Sequence, residues 1–136
     1  MSACLLGTKC NHEGGHSRRP AVEALAAQYR LIPVCPEVCG GLSTPRPAAE
    51  RCDDRVVTGT GDDVTAAYER GARAAVELAA AVGARRAVLK ARSPSCGSAQ
   101  VYDGTFSRTL RDGEGVTAAA LRAAGVEVVS EEDVSR

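Results

Sequence analysis

Apolar and polar positions fall in blocks along this chain, and the period within a block switches between two and about 3.6 residues. Residues 2–6, "SACLL", form a short apolar run that stops at Gly7 and predict a first strand. The polar stretch "TKCNHEGGHSRR" follows as a loop. "PAVEALAAQYR" then predicts a helix, with Pro20 near its first position and Val22, Leu25, Ala26 and Tyr29 on one face. "LIPV", 31–34, predicts a second strand, which Pro33 confines to an edge position or a strand end.

The longest irregular stretch, "CPEVCGGLSTPRPAAERC", holds three prolines and a Gly-Gly pair, and "RVVTG" after it reads as a short extended piece. The strongest helix lies in "GDDVTAAYERGARAAVELAAAVG". Asp62 or Asp63 can cap it, Val64, Tyr68, Ala72, Ala75, Leu78 and Val82 recur at helical spacing, and Gly83 is a natural stop. "RAVLK", 86–90, predicts a third strand, followed by the turn "SPSCGS" and a loop, "VYDGTFSRTLRDGEG". A last helix, "VTAAALRAAG", leads to a last strand, "VEVVS", and a short acidic tail.

The order β-α-β-loop-α-β-loop-α-β predicts the α/β class: a Rossmann-like open sheet, mostly parallel, of about four strands with helices on both faces. No repeat or linker divides the chain, so residues 1–136 are expected to form a single domain. Ligands of open α/β sheets bind beyond the carboxyl ends of the strands. Cys4, Cys35 and Cys96 each end or follow a predicted strand, so parallel strands would bring their thiols to one edge.

Composition narrows the function. Lys+Arg and Asp+Glu balance at 17 each, and aromatic residues are 3% of the chain without a single Trp. Neither a basic surface for nucleic acid or an anionic membrane nor a set of stacking platforms is supplied, so no nucleic-acid or membrane partner is expected. No apolar run approaches the roughly 20 residues of a membrane span. "MSACLLGTKC" has neither the basic start nor the apolar stretch of a signal peptide, which makes the cytoplasm the expected compartment.

Six cysteines are many for a chain of this kind. In a reducing compartment they point to metal binding or catalysis more than to disulfides. Thiolates are soft ligands, suited to zinc, Cu(I) or iron–sulfur clusters, yet the long spacing of Cys4, Cys35 and Cys96 matches no zinc-finger signature. Two readings stand on spacing alone: three ligands gathered by the fold, or three small apolar residues at strand ends. Cys39, four residues after Cys35, reads as a turn residue, a metal ligand or half of a redox pair. Cys10 and Cys52, in polar loops, read first as passenger thiols.

Other polar candidates surround these positions. Glu37 follows Cys35 by two residues, where a carboxylate can move protons beside a metal or remain a solvated loop residue. Ser93 and Ser95 flank the Cys96 turn as substrate contacts, proton relays or ordinary turn residues. His12 and His16 sit in "NHEGGH", whose two glycines oppose a helical metal pair. Arg18, Arg19 and Arg46 can contact an anion or simply face solvent. Asp103 and Thr105 in "YDGTF" have the chemistry of a turn. No dinucleotide fingerprint, Walker A loop or G-x-S-x-G elbow is present, so a nucleotide-cofactor enzyme or serine hydrolase has no support.

Taken together, "SACLLG", "PVCPEVCGGLSTPR", "VLKARSPSCGS", "VYDGTFS" and "GVTAAALRAAGVEVVSEE" resemble, in the same order and over essentially the whole chain, the thiouracil desulfurase (TudS-type) family. The combination of "CPE" with "SPSCGS" is the specific part. The resemblance implies a [4Fe-4S] cluster held by Cys4, Cys35 and Cys96, with the fourth iron open to the sulfur of a thiolated pyrimidine or related thio-compound. It implies a non-redox desulfuration in which water attacks the carbon, with Glu37 as candidate base and Ser93 and Ser95 as candidate relays or substrate contacts. Cys10 stands as an alternative ligand, since some relatives carry Cys there. The partner implied is a small thiolated substrate, with the sulfur acceptor left open. The alternative function is a non-catalytic metal or persulfide carrier that passes sulfur through the same cysteines.

Overall fold

In this computed structural model residues 1–134 are described, so the last two residues of the expected domain and acidic tail lie outside the described part. The class is mixed α/β. Short helices α1 (Pro20–Glu23) and α2 (Pro36–Cys39) precede strands β1 (Ala49–Cys52) and β2 (Arg55–Thr58). Then come the long helix α3 (Thr65–Val82), β3 (Arg86–Leu89), β4 (Gln100–Tyr102), β5 (Leu110–Asp112), α4 (Val116–Ala123), β6 (Glu127–Ser130) and α5 (Glu131–Val134). β3 pairs in parallel with β6, whereas β1–β2 and β4–β5 are antiparallel pairs.

The β3–β6 pair carries the core on both faces, as a period of two requires. Ala87, Leu89, Val126 and Val128 pack with Cys96, Ala118 and Leu121, and Val76 and Ala79 of α3 close over them. On the other face Val88 joins Leu5 and Val22, with Leu25, Val129 and Val134 against them. Leu5, Val22 and Leu89 are almost wholly buried. Each such side chain contributes about 1.5–3 kcal/mol by leaving water.

Of the expected parallel sheet, the regular part is the β3–β6 pair. Residues 2–6 wind into a 3-10 turn at Ala3–Leu6, closed by Gly7 at φ 96°. Only Ser2 stays extended enough to bridge Val34 in parallel. The N-terminal backbone is nevertheless held on two sides: Ser2 N–H donates to the Val88 carbonyl at 3.0 Å, and Ala3 N–H to the Val34 carbonyl at 2.8 Å. Residues 31–34 fall short of a strand because Pro33 has no N–H to give.

Other differences share one cause, short-range turn chemistry inside stretches that read as irregular. "CPEVC" contains α2, with Cys35 as N-cap and Pro36 at the first position. Of the two antiparallel pairs, β2 is the short extended piece expected at "RVVTG", whereas β1, β4 and β5 lie in segments read as irregular or loop. The helix expected over 20–30 is α1 extended by a 3-10 turn at Ala24–Ala27. α3 keeps its expected face at Tyr68, Ala72 and Ala75, which are buried, whereas Val82 at its end is exposed; Asp63 Oδ1 accepts the Thr65 N–H at 2.9 Å, and Gly83 ends the helix at φ 68°.

Two glycines bring α2 and α3 backbone to backbone. A β-carbon on Gly71 would overlap the Pro36 carbonyl, and one on Gly40 would overlap the Ala67 carbonyl. Arg70 adds hydrogen bonds to the Gly40 carbonyl at 3.1 and 3.2 Å. This contact sets the short helix that starts at Cys35 rigidly against the longest element of the fold.

Candidate active site

A cavity of about 670 Å³ opens where the segments after Ser2, Val34 and β3 end. Its wall includes Cys4, Cys10, Cys35 and Cys96, together with Glu37, Tyr68, Lys90 and Ser93. All six cysteines are free thiols. Cys39 is exposed on α2 and Cys52 lies on β1, and neither reaches this wall. A second cavity of about 790 Å³, bordered by Leu25, Tyr29, Leu78 and Val82, holds no cysteine.

Local structure fixes each thiol. Cys4 sits in the 3-10 turn that ends the N-terminal bridge. Cys35 caps α2, and its Sγ points to the Cys10 carbonyl at 3.7 Å. Cys96 is held by a serine turn: Ser93 Oγ accepts the N–H groups of Ser95 at 3.1 Å and of Cys96 at 3.0 Å. Gly97 N–H returns to the Ser93 carbonyl at 2.9 Å. The same turn caps α4, because Val116 N–H donates to the Pro94 carbonyl and Thr117 N–H to the Ser95 carbonyl, both at 2.9 Å. Gly115 permits this approach, since a β-carbon there would overlap the Ser95 carbonyl.

Cys4, Cys10 and Cys96 are poor acids as they stand. Burial pushes Cys96 up to about 12, with Glu37, Cys4 and Cys35 adding to the rise and a hydrogen bond from Ser2 opposing it. Burial and then Cys35 push Cys10 up to about 12. Cys4 is raised by burial and by Cys35, with Lys90 opposing. Without a cation these thiols stay protonated and neutral at pH 7, and a bound metal would draw off their protons. Among the described residues no three His, Cys, Asp or Glu side chains converge to hold a single metal ion. Cys10 and Cys35 are side-chain neighbours on this wall, and Cys4 and Cys96 stand close enough to feel the Cys35 charge.

Glu37 faces the same cavity with its carboxylate tied from two directions. Arg46 Nη2 donates to Oε2 at 2.6 Å, and the Tyr68 hydroxyl donates to Oε1. The Arg46 side chain is 4% exposed and also donates to the Cys10 carbonyl at 2.8 Å, so it ties the Cys10 loop to α2. Burial, with the Glu37 charge beside it, raises the Tyr68 phenol well above its ordinary value.

Ser93 lines the cavity, but Ser95 does not. The Ser95 hydroxyl is buried against α4 and pairs with Thr117 Oγ1 at 2.8 Å. His12 borders the cavity, whereas His16 uses Nδ1 to accept the Arg18 N–H. Arg46 is buried beside Glu37, where the sequence left a choice between anion contact and solvent. Tyr68 read as one of the core positions of α3, and the core face of that helix is indeed where it sits. Its hydroxyl, the polar end that a buried tyrosine must satisfy, was the missed signal. Cys10 read first as a passenger, and the fold buries it at the site.

The family model for 2-thiouracil desulfurase matches residues 1–133. The chain belongs to the 2-thiouracil desulfurase family. It is 38% identical over 145 residues to the protein YbbK of Bacillus subtilis (strain 168), across 99% of this chain and 96% of that protein. It is also similar to a solved structure described as the [4Fe-4S]-dependent thiouracil desulfidase TudS. There the identity is 47% and the TM-score 0.92, covering 98% of this chain and 90% of that one. The family is one of enzymes, and its pattern runs through every segment that builds the cavity.

Proposed function

We propose that this desulfurase-family protein removes sulfur from a thiolated pyrimidine, or a related small thio-compound, by hydrolysis with the help of a [4Fe-4S] cluster. The observation that carries the reading is the placement of Cys4, Cys35 and Cys96 on one cavity wall that Glu37 also faces. The donor set fits the group: the thiols are soft ligands, free and facing one cavity, and binding a metal takes their protons. Cys4, Cys35 and Cys96 would hold the cluster, and Cys10 is the alternative donor. Bound there, the cluster would supply a Lewis-acidic iron able to polarise a carbon–sulfur bond.

The chain's own groups do the rest. Glu37 takes a proton from the attacking water, so that the carbon gains oxygen as it loses sulfur. The net change is C=S plus water to C=O plus hydrogen sulfide, without transfer of electrons. Ser93 fixes the Cys96 thiol and stands at the cavity wall, within reach of a small substrate. Ser95 supports the turn from behind.

Two finer points belong to the same reading. The hydrogen bonds of Met1–Ala3 to both Val34 and Val88 support a four-stranded, Rossmann-like parallel sheet in the order 31–34, 1–3, β3, β6. The three thiols would then lie at its carboxyl edge, the usual ligand position. Free thiols throughout agree with a reducing compartment such as the cytoplasm.

The test is anaerobic purification with assay of iron, acid-labile sulfide and turnover of 2-thiouracil. Iron and sulfide near four each per chain, with release of uracil and sulfide, are expected for a four-iron cluster. Replacing Cys4, Cys35 or Cys96 with Ser should bleach the visible absorption. A full cluster without uracil would replace the enzyme reading with that of a sulfur carrier.

A further inference from the structure

Glu37 is more constrained than a catalytic carboxylate needs to be for its charge alone. Tyr68 donates to Oε1 and Arg46 to Oε2, one partner from each side. Tyr68 is 3% exposed and arises from the buried face of α3. Arg46 is held in turn by three acceptors besides Glu37: the Cys10 carbonyl at 2.8 Å, Thr44 Oγ1 at 3.0 Å and the Ser43 carbonyl at 3.2 Å. Neither donor can swing away without leaving a buried polar group unpaired.

The separation of the clamp's two halves is also fixed. Glu37 rides on α2 and Tyr68 on α3, and the Gly40–Ala67 and Gly71–Pro36 contacts leave no gap in which the helices could slide. Glu37 and Tyr68 border the cavity, while Arg46 lies behind the carboxylate, outside the wall. A carboxylate has about four lone-pair sites. With one on each oxygen occupied from the protein side, those that remain face the cavity.

We propose that Tyr68 and Arg46 form a two-sided clamp that aims the Glu37 carboxylate into the cavity, making both of them positioning residues for the reaction Glu37 serves. The inference rests on the proposed reaction for its kinetic meaning, though the clamp itself does not. Positional precision of this kind matters because a displacement of about 1 Å in a reacting group costs on the order of 10²-fold in rate.

The experiment is a double-mutant cycle on the cluster-loaded protein with Tyr68→Phe, Glu37→Gln and the pair. Tyr68→Phe removes only the hydroxyl. It is expected to lower kcat by roughly 10- to 100-fold, the size of a lost hydrogen bond to a charged group, with KM and iron content unchanged. Added to Glu37→Gln, it should change kcat no further, because its effect passes through Glu37. Arg46→Lys, which keeps the charge but loses the planar fork, should behave as Tyr68→Phe does. Wild-type kcat in Tyr68→Phe, or full additivity with Glu37→Gln, overturns the clamp. If the wild-type protein leaves 2-thiouracil intact, the reaction fails as a reading, and the same cycle on urea unfolding still decides the clamp. Coupling between Tyr68 and Glu37 upholds it and additive effects reject it.

Discussion

Gly71, in the middle of α3, rests directly on the backbone of Pro36, the first residue of α2. At an exposed helical site Gly→Ala stabilises by about 1 kcal/mol. Here the added methyl meets a carbonyl that cannot rotate away, and overpacking costs about 1–3 kcal/mol. Gly71→Ala is therefore expected to destabilise, with a lowered urea midpoint. It should also reduce iron retention, since α2 carries Cys35. A variant as stable as the wild type would show that α2 shifts freely.

Ser93 accepts two backbone N–H groups, those of Ser95 and Cys96. Ser93→Ala strands both, at about 1–3 kcal/mol for each buried donor. Stability and iron content should fall together. Loss of turnover with stability and iron unchanged would instead make Ser93 a pure substrate contact.

Glu131 is wholly buried at the start of α5. It accepts the Ala91 N–H at 2.7 Å and pairs with Lys90 at 3.2 Å, so it anchors the chain on its way to the Cys96 turn. Loss of the carboxylate strands the Ala91 N–H, at about 1–3 kcal/mol, while Lys90 keeps partial access to water. Glu131→Ala should lose that much in chemical denaturation and Glu131→Gln less, because the amide still accepts the Ala91 N–H.

The metal-free protein should weaken in alkali. Cys10 and Cys96 are raised from 9.0 to about 12, so the unfolded chain releases these protons at a lower pH than the folded one. A raised folded value gives stability that is complete below the unfolded value and disappears as pH climbs towards the folded value. The urea midpoint is expected to fall between about pH 9 and pH 12, and Cys96→Ala should flatten that slope. An unchanged midpoint up to pH 11 would mean that the thiols are not buried in solution.

The long periodic segments were legible. α3, α4, β3 and β6 follow their hydrophobic spacing because each packs apolar residues of one stripe or face into the core, and that spacing is what a sequence displays most directly. The short elements were not. α2 is a single turn set by Cys35 and Pro36 and supported by Gly40 and Gly71 from across the fold, a contact that no local window contains. β1, β4 and β5 have three or four residues each, too few for alternation to stand out, and of the antiparallel strands β2 alone was read as extended. Strand-end geometry gathered Cys4, Cys35 and Cys96 on one wall even though two of the strands are reduced to bridges. Arg46 and Tyr68 stayed hidden because their importance lies in a pairing with Glu37 across 9 and 31 residues of chain.

The N-terminal Ser2 hydrogen-bonds to Val88, β3 needs β6 as its neighbour, and the Cys96 turn is locked by the first residues of α4. The wall that carries Cys4, Cys10 and Cys35 is thus braced by α4 and β6, which follow Cys96 in the sequence. Until those later segments are in place, the three earlier thiols lack the enclosure that the complete fold gives them. Oxidation is then a hazard of the incompletely folded chain, and folding itself is what shields the thiols.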